Sequence, residues 1–193
     1  MRTRTTARAV GSLFIIATAA GVLSVALPGS KATSGLLVLI MAAAMAMIPP
    51  LIFPVLRQHS EQLALGYVVA RTVEVVLVLP AAVVPLTGVD LAYDTWGYPL
   101  SSIFFCLGAL LLNSALFGSL AVPRPISGWA LIAVLPYTAD ALLVMYGELN
   151  LSSPLHAALI APLMVNEMVL AVWLLAKGFT AAERPPARSA AVQ

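Results

Sequence analysis

Charge is what this chain has least of. Asp, Glu, Lys and Arg make up 9% of its 193 residues, against about 25% in a soluble domain. A water-facing surface of ordinary composition cannot be assembled from it. The formal net charge is only +2, and no basic cluster lies away from the ends of the apolar runs, so no nucleic-acid partner is expected. Cysteine occurs once, as Cys106 inside such a run, which excludes an intramolecular disulfide and reads as packing. The two histidines, His59 and His156, fall at opposite ends of the runs and cannot share a metal. Zinc asks for three or four His, Cys or carboxylate ligands, and no HExxH helix is present. Ser152 and Ser153 precede His156 without a third group or an oxyanion arrangement. These shortages leave no catalytic residues, no metal and no cofactor to name, and an enzyme is not expected.

Long apolar runs fill the rest. Ala9–Leu27, Gly35–Leu56, Leu63–Leu86, Leu100–Val122, Ile126–Tyr146 and Pro154–Phe179 follow one another with short polar hinges between them. A hydrocarbon core of about 30 Å takes roughly 20 apolar residues per helix, and each run meets that length. The fold class is therefore all-α, an integral membrane bundle of six transmembrane helices over residues 1–180. The tail 181–193, with Glu183-Arg184-Pro185-Pro186, lacks an apolar face and is expected to be disordered. Arg2, Arg4 and Arg8 before the first run resemble a signal peptide. That run, however, exceeds the 7–15 residues of a signal core and ends on a weak cleavage site, so it reads as a retained helix.

Loop charges set the orientation, because basic residues collect on the cytoplasmic side. With the N-terminus inside, Arg2, Arg4, Arg8, Arg57, Arg124, Lys177, Arg184 and Arg188 are cytoplasmic, and Lys31 alone is outside. Asp90, Asp94 and Glu148 then fall on the outer side. Both termini are cytoplasmic on this reading. Trp129 and Trp173 at inner ends, and Tyr93, Trp96, Tyr98 and Tyr146 at outer ends, match interfacial aromatic belts. Ser60 is placed to cap the third helix. Prolines at 49, 50, 54, 80, 136 and 162 interrupt the runs; such kinks can serve gating, and proline is also simply commoner in transmembrane helices. Small-residue stretches such as Gly66-x-x-x-Ala70 permit close helix approach.

A few polar residues inside the runs remain. Arg71 and Glu74 lie in the third, Asn113 in the fourth, Asp140 in the fifth, and Asn166 with Glu167 in the sixth. Counted from the inner ends at about 1.5 Å per residue, all six fall roughly 12–20 Å deep, near the midplane. Polar groups there cost about 2.5–3.5 kcal/mol each on insertion scales and partner one another inside the bundle. Arg71 and Glu74, three apart, share a face and pair. Asp140 and Glu167 then have at most a share of the same arginine. Fully ionised, the layer holds one positive and three negative charges, so either one or two acids are protonated or a cation fills the gap.

Three stretches also carry a resemblance: Leu63-Ala64-Leu65-Gly66-Tyr67 with Arg71 and Glu74, Val122-Pro123-Arg124 with Ser127-Gly128-Trp129, and Glu167 to Phe179 (EMVLAVWLLAKGF). Together, over about Arg57 to Phe179, they resemble a family of small bacterial membrane proteins catalogued as the domain of unknown function numbered 4386. The resemblance implies a six-helix protein of the bacterial inner membrane and carries over no substrate, reaction or cofactor. Pro125, where an aromatic is usual, and Asn166, where glutamine is typical, depart from the family pattern. The leading functional expectation is a small transporter or permease-like protein that binds a proton or small cation at the layer. The alternative is a non-enzymatic membrane partner or assembly protein whose polar layer is structural. The lipid bilayer is the one partner the composition itself names.

Overall fold

Each apolar run becomes one helix. The computed structural model describes residues 2–26, 30–87 and 93–180, and the tail beyond residue 180, like Asp90, lies outside them. The helices are α1 (Arg2–Ala26), α2 (Lys31–Leu56), α3 (Glu61–Thr87), α4 (Tyr98–Ser119), α5 (Arg124–Met145) and α6 (Pro154–Ala176), with a π-helical turn at Tyr93–Gly97 before α4. All six are long and apolar enough to cross a membrane. No strand occurs among the described residues. The chain is a multi-pass, all-α membrane protein.

Local chemistry explains the boundaries. The Ser30, Ser60 and Ser153 hydroxyls accept from the backbone N–H groups of Thr33 (3.2 Å), Leu63 (3.3 Å) and His156 (3.1 Å), satisfying the free donors that open α2, α3 and α6. Prolines stand in the first turns of α4, α5 and α6, where no N–H partner is needed. The fourth run extends in sequence to Val122, but its helix stops at Ser119 because Leu120 turns left-handed, with φ 56°. The last helix likewise ends at Ala176, short of Phe179, and Gly178 with φ +78° makes the exit. The Thr180 N–H then donates to the Ala121 carbonyl at 2.8 Å, fastening the exit of α6 to the α4–α5 turn. Pro49, Pro50 and Pro54 are accommodated within one continuous α2.

The helices pack as a closed ring in chain order, each on the next, with α6 returning to α1. Antiparallel succession puts the start of α1 and the end of α6 at one end of the ring, the termini end. The two halves differ. Toward the termini end the ring is filled by an apolar core that includes Val10 and Phe14 of α1, Ile48, Ile52 and Leu56 of α2, Tyr67 of α3, Leu112 and Leu116 of α4, and Leu170 and Leu174 of α6. In lipid such packing is held by van der Waals contact rather than by water exclusion. It demands close backbones. A Cβ on Gly11 would lie 2.7 Å from the Ala171 carbonyl oxygen, so only glycine fits that α1–α6 crossing. Toward the far end the ring is hollow.

Candidate functional site

The hollow is a cavity of about 520 Å³ lined from all six helices. Its floor is Arg71 and Glu74 of α3 with Glu167 of α6, and its rim reaches Val25 and Ala26 of α1 and Tyr93 of the π turn. Three helix-related facts build the floor. Arg71 and Glu74 share a face of α3, and Nη1 of the arginine donates to Glu74 Oε2 at 2.7 Å. Gly108 of α4 leaves room for the arginine stem: a Cβ there would sit 3.0 Å from Arg71 Cδ. The Phe105 ring, 5.3 Å from the guanidinium carbon, closes one side of it.

Glu167 comes from across the ring. Its Oε1 stands 4.0 Å from Arg71 Nη2, the outer limit of an ion pair and beyond hydrogen-bond reach. It makes no hydrogen bond among the described residues. Arg71, though buried, has an Nε–H without a partner among the described residues. The three ionisable groups at the floor are thus unequally matched: one close pair and one carboxyl group facing the cavity. The other titratable groups on the cavity wall are Tyr98 of α4, Tyr137 of α5 and Tyr93, while the cavity residues of α1 and α2 include none.

The expected single layer of six residues divides into four separate settings. Asp140 does not share Arg71. Its carboxylate, fully buried, meets His156 Nδ1 at 2.9 and 3.0 Å on the far side of the α5–α6 seam. Tyr98 stands beyond, its hydroxyl 3.5 Å from His156 Nε2 and its ring edge-on to the imidazole at 5.9 Å. Tyr98 and Ser102 both line the cavity. Asn113 turns back on its own helix, donating to the Ala109 carbonyl at 2.9 Å, with its Oδ1 unpartnered. Asn166 donates to the Ile126 carbonyl at 2.8 Å and ties α6 to α5. Of the six, Arg71, Glu74 and Glu167 meet at the floor. Asp140, Asn113 and Asn166 do not belong to it.

His156 is the residue that reading the sequence passed over, as an ordinary rim residue. The signal was partial: the short α5–α6 connection brings the last two turns of α5, with Asp140, beside the first turn of α6, with His156. His59, by contrast, lies at the termini end against Gly118, far from His156. Tyr98 also differs from expectation, since it is a cavity residue rather than part of the outer aromatic belt. Trp96, Trp129 and Tyr146 are exposed near helix ends, as belt residues are. Among the described residues no three His, Cys, Asp or Glu side chains stand close enough to hold a metal ion.

A fold and a floor of this kind define a class: a six-helix membrane protein with a polar group of residues beneath a cavity. Residues 81–178 match the family described as Domain of unknown function (DUF4386), and the chain belongs to that family. The match takes in Asn113, Asp140, His156, Asn166 and Glu167 but begins after Arg71 and Glu74, so the similarity read there stands outside it. No curated protein and no solved structure matches the chain.

Proposed function

We propose that this protein is a small transporter or permease-like protein of the bacterial inner membrane whose cavity floor binds a proton or a cation. One observation carries the reading: Glu167 faces a cavity within the membrane while the one cation near it among the described residues, 4.0 Å away, is held by Glu74 at 2.7 Å. An intramembrane carboxylate lacking a full partner is costly unless it is protonated or bound. The positions of basic residues support an orientation with both termini cytoplasmic. Arg4, Arg8, Arg57, Arg124 and Lys177 sit at the termini end, and Lys31 and Glu148 at the other. The cavity then faces outward, and the packed half stands between it and the cytoplasm. The role is a binding and transfer role, not an enzymatic one.

Thermal stability in detergent, followed across pH for wild type and Glu167→Gln, tests the reading. Wild type should show a pH or cation dependence that the variant loses while remaining folded. Identical profiles for the two proteins would remove Glu167 as the binding group. A second reading, a membrane partner or assembly protein with a structural polar network, draws on the completed Asp140–His156 and Asn166–Ile126 bonds. Stoichiometric co-purification with another membrane protein, together with loss of stability at every pH in Glu167→Gln, would favour it.

A further inference from the structure

The cavity is far larger than a proton or a bare metal ion requires. At about 520 Å³ it has the volume of a pocket for a drug-sized molecule. Above the floor its walls are mostly apolar, with aromatic rings at Phe105, Tyr98 and Tyr137 and thioethers at Met41, Met45 and Met164. Hydroxyls of Thr18, Ser101, Ser102 and the tyrosines are set among them, whereas a calcium or magnesium ion asks for six or more oxygen ligands gathered about one point. Aromatic faces and methionines instead suit a cation whose charge is shielded by apolar groups: the rings attract it, and the thioethers adapt to its shape.

Charge points the same way. Arg71, Glu74 and Glu167 are the only charged residues on the cavity surface among the described residues, and with both acids ionised they leave one negative charge unmatched. One observation marks the floor as unfinished: Glu167, 4.0 Å from Arg71 Nη2, makes no hydrogen bond among the described residues. We infer that the cavity binds a monovalent lipophilic organic cation, its apolar body between the aromatic and methionine walls and its charge over Glu167. The inference rests on the proposed cation-binding reading and narrows it to a ligand class.

The probes are tetraphenylphosphonium and its near-isosteric anion tetraphenylborate, titrated calorimetrically into the full chain in detergent. The expected result is saturable binding of the cation, no binding of the anion, and at least about tenfold weaker cation binding by Glu167→Gln, the equivalent of one charge-assisted contact. Met164→Trp, which fills the cavity while keeping every charged residue, should abolish binding and decides the matter if Glu167→Gln does not fold. Equal binding of the two ions, undiminished binding by the folded variants, or no binding of the cation would each overturn the inference. Failure here with a Glu167-dependent pH profile intact would leave the proton or cation reading standing. Loss of that pH dependence as well would bring down both.

Discussion

His156 Nδ1 lies 2.9 Å from Asp140 Oδ1 with the carboxylate wholly shut away from its surroundings. Removing either partner strands the other in a buried site, which costs about 1–3 kcal/mol. Asp140→Ala and His156→Ala should each lower stability by that order, and the double variant by clearly less than their sum. A double-mutant cycle on reversible unfolding in mixed micelles checks this. Additive losses would mean that the two side chains act independently.

Glu74 and Glu167 flank one arginine and should behave differently. Glu74→Gln removes the 2.7 Å partner of a buried guanidinium, and breaking such a pair costs about 3–5 kcal/mol. Glu167, at 4.0 Å, is beyond hydrogen-bond reach of Arg71, and Glu167→Gln should destabilise clearly less than Glu74→Gln. Melting temperatures of the two variants side by side, at one pH, give the ranking. The reverse order would contradict the assignment of Glu74 as the structural partner.

Gly11→Ala tests the α1–α6 closure. The added methyl meets a backbone oxygen, Ala171 O, at 2.7 Å, and a carbonyl cannot swing aside as a side chain can. A loss of about 1–3 kcal/mol is expected, although alanine is the better helix former. Retained stability would show that α1 is free to shift along α6.

Gly108→Val should disturb the floor by pushing on the arginine stem, since even a Cβ there sits 3.0 Å from Arg71 Cδ. Stability should fall by about 1–3 kcal/mol. Gly128→Ala is the matched control, because its Cβ would meet the Phe117 ring at an ordinary 3.6 Å. Thermal melts should show the control unchanged or raised, by up to about 1 kcal/mol.

Span number was legible from hydropathy because bilayer thickness constrains helix length so tightly. The pairing of Arg71 with Glu74 was legible too, since a three-residue spacing leaves little choice of face. Which polar groups meet across helices was not. Counting depth from the inner ends placed Asp140 beside Glu167, but depth is one coordinate, and position around the ring decides the partner. Asp140 lies on the seam that faces His156, and Asn166 on the seam that faces Ile126. The cavity was equally hidden: nothing in the sequence sets Met41, Phe105 and Tyr137 apart until ring closure arranges them round an unfilled space. The early ends of α4 at Leu120 and of α6 at Gly178 depend on left-handed backbone turns, and the first of these is at a leucine, which composition does not flag.

A ring packed in one half and hollow in the other also divides a membrane voltage unequally. A polar filling of the hollow would carry little of the potential drop, so the field would concentrate across the apolar core between the level of Arg71 and the termini end. A charge arriving at Glu167 from the far end would then do almost no electrical work. The same charge passing on through the packed half would traverse most of the potential, about 2.3 kcal/mol for each 100 mV. Any net movement through this protein would be driven or resisted electrically at that second step.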